Sequence, residues 1–483
     1  MNNLKNGMVF NELLALVSSN NAPSVCIDSR LVKTGDIFVA IKGTVYNGSN
    51  FIDHAIANGA EYIVAQQLCR CDSAEVVIVD DAAKAAADLA QASKGYPASK
   101  LTNMAITGTN GKTTVAFLVR SIIQNAGEKC GLIGTIVYDT GSASRKATLT
   151  TPDCLAIAKE QQKMLKANSK YMVIEASSHS LAQNRLAGIN FNAAAFTNLT
   201  GDHLDYHKTQ KDYFAAKAKL FQELSLDSTA ILNKESPEAE QIAELTKAKI
   251  LWYAIDRSAD INACIKSMDI TGTVFIIEYS GQKQTVQTPL PGRHNISNHL
   301  AAAGLCLAAG FDLQTIADGL SALKTIPGRL EKLDWVGVSV FVDYAHTDDA
   351  LKNVLSTLKP LCKGKLIIVF GCGGDRDKTK RPRMAKVAEQ SADFIVVTSD
   401  NPRTERPEDI IDDISTGFEN PNSETIIIEP DRKKAIELAI NTAAKNDAVL
   451  IAGKGHETYQ IIGKQKLDFS DKAIAMQFLK KRK

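Results

Sequence analysis

Apolar residues along this chain follow two alternating patterns. Short apolar runs near residues 62–65, 171–175 and 366–370 predict buried strands, and the stretch 112–126 places apolar side chains at the spacing of a helix. Alternating strands and helices are typical of α/β folds with parallel sheets. The pattern therefore predicts an α/β protein.

Breaks in this pattern divide the chain into three predicted units, residues 1–100, 101–327 and 328–483. The first reads as a small α/β unit, and the second opens with a strand, a glycine turn and a helix. The third begins just past Pro327 and Gly328, a pair that favours a hinge. A length of 483 residues agrees with domains of roughly 150 residues each.

Composition narrows the classes of function. Lys plus Arg (56) nearly equals Asp plus Glu (54), which argues against a basic surface for nucleic acid or for an anionic membrane. No stretch approaches the roughly 18 apolar residues of a membrane span, and nine scattered cysteines do not suggest a disulfide framework. We expect a cytoplasmic monomer that binds neither nucleic acid nor membrane.

The turn between a strand and a helix at residues 108–114 carries the clearest chemistry. It consists of Gly108, Thr109, Asn110, Gly111, Lys112, Thr113 and Thr114. Glycines let backbone N–H groups face an anion, the lysine neutralises outer phosphates, and a threonine hydroxyl can bind Mg²⁺. The glycines stand closer together than in the common P-loop, and a chance turn is the alternative. The flanking strand and helix favour a nucleotide phosphate site.

Polar residues also follow two other predicted strands of this unit. Glu175 ends one strand, and Asn198, Asp202 and His203 follow the next. Ligands gather at the carboxyl ends of strands in open α/β sheets, so Glu175 can reach a cation near the glycine turn. An acid there can equally cap a helix, and His203 is an unusual Mg²⁺ ligand that can instead orient water. By helical pattern alone, Lys217 reads as a solvated charge.

Three predicted strands of the last unit end in polar clusters. The clusters begin at residues 371, 399 and 453, and they contain glycines, acids and arginines. An arginine pairs with a carboxylate and an acid binds an ammonium, so together they indicate a zwitterion site. Simple turns and helix caps are the alternative. The glycines at 371–374 lack the dinucleotide fingerprint, so a nicotinamide site is not expected.

From Asp28 to its end, the chain resembles the Mur ligases. The motifs that carry the resemblance are Gly108-Thr-Asn-Gly-Lys-Thr-Thr, Glu175-Ala-Ser-Ser-His, Asp202-His-Leu-Asp-Tyr-His, Gly292-Arg-His-Asn295, Pro327-Gly-Arg329 and Asp343-Tyr-Ala-His346. The resemblance implies a three-domain architecture: an N-terminal UDP-substrate domain, a central P-loop ATPase domain with a parallel-rich sheet, and a C-terminal Rossmann-like domain that binds an amino acid.

The resemblance also implies roles for individual residues. The implied catalytic residues are Lys112, Glu175, His203, Lys217, Arg329, Asp343 and His346. ATP would be bound by residues 108–114 together with His294 and Asn295. The implied Mg²⁺ site comprises Thr113, Glu175, His203 and Lys217, the last as a carbamate formed with CO₂. The UDP-linked substrate would be bound by Ile27, Ser29, Thr44, Val45, Tyr46, Thr150, Thr151, Ser177, Gln183 and Arg185. The amino acid would be bound by Arg376, Asp400, Asn401, Pro402, Arg403, Gly453 and Glu457.

The implied activity is ATP-dependent amide ligation in peptidoglycan precursor synthesis. The γ-carboxylate of UDP-N-acetylmuramoyl-L-alanyl-D-glutamate would form an acyl phosphate and then be joined to meso-2,6-diaminopimelate. The Asp-Asn-Pro-Arg sequence at 400–403 is the family's signature for that amino acid, and L-lysine is the alternative. Asp348 departs from a proline that is frequent in the family. Other interpretations are a folylpolyglutamate-type ligase, a sister that adds a D-alanyl dipeptide, and an ATP-hydrolysing switch.

Overall fold

A computed structural model of the protein confirms the predicted α/β class. The structure describes residues 8–19, 22–43, 46–67, 73–201, 204–333, 335 and 337–481. Thr44, Val45 and His203, which the family resemblance implicates in substrate and metal binding, lie outside the described residues.

The first unit is a parallel sheet covered by short helices. Its strands follow the order β1-β2-β3-β4. They are β1 (Val25–Cys26), β2 (Ile37–Val39), β3 (Tyr62–Ala65) and β4 (Glu75–Ile78). The helices are α1 (Phe10–Val17), α2 (Ile52–Ala57) and α3 (Ala82–Ala92). The alanine side chains of α3 are almost all buried, which lets the helix pack closely on its neighbours.

The second unit contains the longest sheet of the described chain. Its strands are β5 (Thr102–Thr107), β6 (Cys130–Ile133), β7 (Val137–Asp139), β8 (Ser144–Lys146), β9 (Tyr171–Glu175), β10 (Ala193–Phe196), β11 (Thr229–Asn233), β12 (Lys249–Ala254), β13 (Ile261–Asp269), β14 (Gly272–Tyr279) and β15 (Gln282–Thr288). Its helices are α4 (Lys112–Asn125), α5 (Cys154–Lys166), α6 (Ser178–Ala182), α7 (Leu204–His207), α8 (Gln210–Gln222), α9 (Glu238–Leu245), α10 (Arg293–Ala308) and α11 (Leu313–Ala322).

The strand order of this sheet brings together the strand ends that carry predicted site residues. It runs β15-β14-β13-β12-β11-β10-β5-β9-β6-β7-β8, with parallel pairing in the middle and antiparallel pairs at both edges. Because β5 pairs in parallel with both β9 and β10, the carboxyl ends of these strands meet at one edge. Behind β5, helix α4 buries Val115, Phe117 and Leu118 in the core.

The third unit has its own largely parallel sheet. Its strands are β16 (Glu331–Leu333), β17 (Ser339–Asp343), β18 (Leu366–Phe370), β19 (Phe394–Val397), β20 (Ile426–Ile428), β21 (Ala448–Ala452), β22 (Tyr459–Ile462) and β23 (Gln465–Asp468). Its helices are α12 (Asp348–Leu358), α13 (Lys380–Ser391), α14 (Pro407–Ser415), α15 (Arg432–Thr442) and α16 (Asp471–Lys481). The main order is β16-β17-β21-β18-β19-β20, and β22 pairs with β23 as a hairpin. The three strands predicted to end in polar clusters, β18, β19 and β21, lie side by side.

The units contact one another through polar pairs. In the first interface, Gln91 Nε2 of α3 donates to Gln161 Oε1 of α5 at 2.7 Å, and both side chains are buried. In the second, Lys146 Nζ at the end of β8 donates to Thr458 Oγ1 of the third unit at 2.8 Å. Among the described residues, no helix is long and apolar enough to cross a membrane.

A buried ion pair supports the edge of the third sheet at which β21 ends. Arg432 and Asp471 are fully buried, with Nη2–Oδ2 at 2.7 Å and Nε–Oδ1 at 2.8 Å. Arg432 Nη2 also donates to the carbonyl oxygen of Ala452 at 2.8 Å, at the end of β21. The pair therefore joins α15 and α16 to a strand end that carries site residues.

We predict that Asp471→Ala lowers the free energy of unfolding by about 3 to 5 kcal/mol, because it leaves the Arg432 guanidinium buried without its counterion. Denaturant unfolding measures the loss. The control is Glu278→Ala, which removes an exposed cross-strand pair with Lys283 and should cost far less. Equal losses in the two variants would contradict a structural role for the buried pair.

Candidate active site

A cavity of about 550 Å³ lies between the second and third units. Its walls contain the glycine turn, the ends of β9 and β10, the start of α10, and the segment that follows β17. Lining residues include Asn110, Lys112, Thr113, Thr135, Thr150, Glu175, Ser177, Lys217, His294, Asn295, Arg329, Asp343, His346 and Asp349. Residues predicted from separate motifs therefore share one cavity.

The glycine turn has a backbone conformation that depends on its two glycines. Gly108 and Gly111 have φ values of +144° and +90°, which L side chains rarely adopt. A Cβ at Gly108 would overlap Thr197 Oγ1, and one at Gly111 would overlap Asn298 Oδ1. Both positions therefore favour glycine by conformation, and Gly108 does so also because Thr197 and the Asn198 backbone lie close to it.

Two lysines converge on this turn. Lys112 Nζ donates to the carbonyl oxygens of Gly108 at 2.8 Å and Thr109 at 2.9 Å. Lys217 Nζ donates to the same Gly108 oxygen at 2.9 Å and lies 4.4 Å from the centroid of the Tyr213 ring. Lys217 is 1% exposed, so the interpretation of this residue as a solvated helix charge is wrong. The face of α8 that carries it packs on the glycine turn, whereas the Lys219 side chain is 33% exposed.

Glu175 lies fully buried beside the turn, at the end of β9. Its Oε2 accepts hydrogen bonds from Thr113 Oγ1 at 2.9 Å and Thr135 Oγ1 at 2.8 Å, and its Oε1 accepts one from the Thr135 amide at 2.9 Å. The described residues give this carboxylate no ion pair. A buried carboxylate held only by hydroxyl and amide donors offers hard oxygen ligands to a cation.

The third unit contributes Arg329, Asp343 and His346 to the same cavity. Arg329 Nη2 donates to Thr113 Oγ1 at 3.1 Å, and its buried Nε has no hydrogen-bond partner among the described residues. Asp343 accepts from the amides of Leu330 at 2.6 Å and Ala345 at 2.8 Å. Burial raises the pKa of Asp343, and the nearby Arg329 charge opposes that rise.

The two other residues implicated in ATP binding, His294 and Asn295, lie at the start of α10. Asn295 is buried and its Nδ2 donates to the carbonyl oxygen of Pro291 at 2.8 Å. His294 Nδ1 is 3.2 Å from Thr357 Oγ1 of the third unit. Burial lowers the pKa of His294 to about 4, so the imidazole is neutral at pH 7.

The residues predicted for the UDP-linked substrate fall into two groups. Thr151, Ser177, Gln183 and Arg185 form one network: Arg185 donates twice to Gln183 Oε1, at 2.7 and 3.0 Å, and once to the Thr151 carbonyl oxygen at 2.8 Å. Thr151 Oγ1 donates to Ser177 Oγ at 3.2 Å, and Thr150 lines the cavity beside them.

The second group lies on the first unit, where Ile27, Ser29 and Tyr46 are described. Ser29 is buried and its Oγ is 3.0 Å from His54 Nδ1. The Tyr46 side chain is 71% exposed, with its ring edge-on to Phe51 at a centroid distance of 6.1 Å.

The residues predicted for the amino acid form a cluster beyond Tyr344. Asn401 Nδ2 donates to Glu457 Oε2 at 2.9 Å, and a Cβ at Gly453 would lie 2.8 Å from Asp400 Oδ2. The Tyr344 ring joins the cluster to the cavity, since its centroid is 5.1 Å from that of His456 and 5.0 Å from the Arg329 guanidinium carbon.

The two arginines predicted for this cluster flank Gly373. Arg403 adopts φ +52°, and its Nη1 donates to the carbonyl oxygens of Gly374 at 2.8 Å and Asn401 at 3.4 Å. The Arg376 side chain is exposed, and its Nη1 donates to the carbonyl oxygen of Asp375 at 3.0 Å. Pro402 accepts the amide hydrogen bond of Glu405 at 3.1 Å, which closes the turn.

Three further residues belong to the site although no motif assigned them. Thr135 binds Glu175, and nothing in its sequence surroundings signals this. Asp349 Oδ2 accepts from Asn110 Nδ2 at 2.8 Å and from Thr200 Oγ1 at 3.0 Å, across the interface between units. The sequence signal for Asp349 was its position directly after Asp348, the residue that departs from the family's proline. Asp348 itself pairs with Arg383 at 2.8 Å. Lys454 is fully buried in the amino-acid cluster, and it stands between Gly453 and Gly455 in the polar cluster predicted to begin at residue 453.

Comparison with known proteins gives matches in all three units. The Mur ligase family catalytic domain matches residues 23–95, the Mur ligase middle domain matches residues 106–306, and the Mur ligase glutamate ligase domain matches residues 328–455.

Individual relatives match over nearly the whole length. A Gloeobacter violaceus protein named UDP-N-acetylmuramoyl-L-alanyl-D-glutamate--2,6-diaminopimelate ligase is 43% identical over 490 residues and covers 99% of each chain. A Geobacillus kaustophilus protein of that name is 41% identical over 463 residues and covers 94% of each chain. A solved structure of a ligase of that name has a TM-score of 0.69 at 32% identity and covers 99% of each chain. Because identity at this level extends through all three units, the chain belongs to the Mur ligase family.

Proposed function

We propose that this protein joins meso-2,6-diaminopimelate to the D-glutamyl residue of UDP-N-acetylmuramoyl-L-alanyl-D-glutamate in an ATP-dependent step of peptidoglycan precursor synthesis. The observation that carries the proposal is the single cavity that collects the glycine turn, Glu175, Lys217 and the third unit's Arg329. Relatives at about 40% identity that bear the name of this activity support it.

The cavity suits phosphoryl transfer from ATP to a carboxylate. The glycine turn offers backbone amides and the N-terminus of α4 to the phosphates, and Lys112 can leave its carbonyl partners for the outer phosphate. The unpartnered Arg329 Nε is a further buried donor for phosphate oxygens. Positioning and charge neutralisation do most of the work in such a reaction, and the product of this step is an acyl phosphate.

The residues around Glu175 fit Mg²⁺. The Glu175 carboxylate and the Thr113 hydroxyl are hard oxygen donors, 2.9 Å apart. The described residues contain no group of three or more His, Cys, Asp or Glu side chains able to hold a metal, so further ligands would be phosphate oxygens, water or a modified lysine. Mg²⁺ bound here would neutralise phosphate charge. Carbamylation of Lys217 would replace a cation near this position with an anionic oxygen donor, which could serve as a further Mg²⁺ ligand.

The cluster beyond Tyr344 suits an amino acid with charged groups of both signs. Asp400 and Glu457 can bind an ammonium, and the guanidinium of Arg403, bonded only to carbonyl oxygens among the described residues, can bind a carboxylate. A free amine that reaches the cavity past Tyr344 would attack the acyl carbon and release phosphate. Contacts between the second and third units would keep water from the acyl phosphate.

A cytoplasmic location and a monomeric state also belong to this proposal. The cysteines of the described residues are free thiols, which suits a reducing compartment. The monomeric state remains a prediction.

We predict that Lys112→Met lowers ATP-dependent phosphate release by at least about a hundredfold, because a cation is lost from the outer phosphate. Phosphate release with all substrates present measures the loss. The exposed Lys211→Met variant should keep wild-type turnover. Normal turnover of the Lys112 variant would contradict the role of the glycine turn.

We predict that Lys217→Ala is inactive and regains part of its activity with formate, which can supply the oxygen ligands of the missing carbamate. Steady-state rates at increasing formate concentration measure the rescue. Lys219→Ala, two residues along the same helix, is the control and should remain active. Full activity of Lys217→Ala without formate would remove the carbamate from the account.

We predict that Arg403→Ala lowers kcat/KM for diaminopimelate about ten- to hundredfold. This factor corresponds to the loss of a charge-assisted hydrogen bond that contributes roughly 1.5 to 3 kcal/mol. The KM for ATP should stay unchanged, since Arg403 contacts residues of the amino-acid cluster. Arg406→Ala, whose side chain is 75% exposed, is the matched control. An equal loss in both variants, or a loss confined to ATP, would argue against this amino-acid site.

A further inference from the structure

The amino-acid cluster contains an ammonium group of its own. Lys454 is 0% exposed, and its Nζ lies 3.0 Å from Asn401 Oδ1, 3.1 Å from Glu457 Oε2 and 3.4 Å from Asp400 Oδ1. An isolated ammonium in such a place is strongly unfavourable, so the lysine and the acids depend on one another. The two acids that would bind the substrate's ammonium therefore already share one positive charge.

The backbone fixes this arrangement. Lys454 follows β21 and stands between Gly453 and Gly455, whose φ values are +112° and +52°. A Cβ at Gly453 would press on the Asp400 carboxylate, and one at Gly455 would lie 2.9 Å from Tyr344 backbone atoms. The lysine thus enters the cluster from a turn that has little freedom to move.

Lys454 is the positive charge that both site carboxylates contact directly. Asp400 and Glu457 contribute two negative charges and Lys454 a positive charge in contact with both, while Arg403 and Lys146 add positive charge nearby. Arg432, although near Gly453, is already neutralised by Asp471. Arg376 is exposed, so solvent screens its charge.

A positive charge between the two acids disfavours a ligand end that is a cation alone more than a ligand end that is neutral overall. The distal end of meso-diaminopimelate carries an ammonium and a carboxylate, whereas the distal end of L-lysine carries an ammonium alone. Without Lys454 the cluster would be one charge more negative, which would favour the lysine end.

We propose that Lys454 is a specificity-determining residue, whose buried ammonium offsets one of the two site carboxylates and so favours an amino acid with a zwitterionic distal end over L-lysine. This inference rests on the proposed function. Selectivity would then depend on the buried charge of Lys454 as well as on Arg403, which would pair with the distal carboxylate.

The test compares two substitutions of opposite charge. The readout is the ratio of kcat/KM for meso-diaminopimelate to that for L-lysine, measured by phosphate release with ATP and UDP-N-acetylmuramoyl-L-alanyl-D-glutamate. Lys454→Met should lower the ratio about tenfold, and Glu457→Gln should raise it by a similar factor, equivalent to about 1.4 kcal/mol each. Lys464→Met, exposed in the turn between β22 and β23, should leave the ratio unchanged.

A purely structural role for Lys454 predicts a different result. Both substitutions would then weaken the use of both amino acids and leave the ratio unchanged, or move it in the same direction, and either outcome overturns the proposal. Thermal unfolding reports whether Lys454→Met folds. If it does not, Lys454→Gln, which keeps a hydrogen-bond donor but removes the charge, takes its place and should likewise lower the ratio. An unchanged ratio in Lys454→Gln overturns the proposal.

The wild-type protein separates this inference from the proposed function. If wild-type protein releases phosphate with diaminopimelate but the variants keep its ratio, only the role of Lys454 fails. If wild-type protein uses neither amino acid, the proposed function fails, and the selectivity assigned to Lys454 fails with it.

Discussion

The site depends on a buried carboxylate at the end of a central strand. Glu175 is held by Thr113 and Thr135 and has no ion pair among the described residues. Taking a carboxylate out of water without a counterion is unfavourable, so its hydrogen bonds must hold it in place. The parallel pairing of β5 and β9 makes this possible, because it brings the glycine turn and Glu175 to the same edge of the sheet.

The third unit completes the cavity through a small number of directed contacts. Arg329 reaches Thr113, and Asp349 accepts hydrogen bonds from Asn110 and Thr200. These contacts connect the phosphate cradle to the unit that carries the amino-acid cluster, with Tyr344 packed between them. A rotation of the third unit relative to the second would break all of them together, so the ATP site depends on the packing between these two units.

Much of this could be predicted from the sequence because the signals were local. Apolar runs identified β9, β18 and β21, and the rule that ligands gather at strand ends grouped Glu175 with the glycine turn. Packing between distant segments could not be predicted. The pattern of α8 suggested a solvated Lys217, but the helix packs that face on Gly108. The roles of Thr135 and Lys454 could not be predicted for the same reason, since each meets its partners only when separate strands align.

In the proposed reaction, ATP activates a carboxylate for amide formation with diaminopimelate. The most direct measurement is phosphate release by the wild-type protein, with and without the UDP-linked dipeptide and each candidate amino acid, combined with the mass of the nucleotide product. We expect release only when all substrates are present, and a product heavier than the dipeptide by one diaminopimelate residue. Phosphate release that is independent of the amino acid would instead indicate an ATP-hydrolysing switch, and a product heavier by one lysine residue would contradict the assigned specificity.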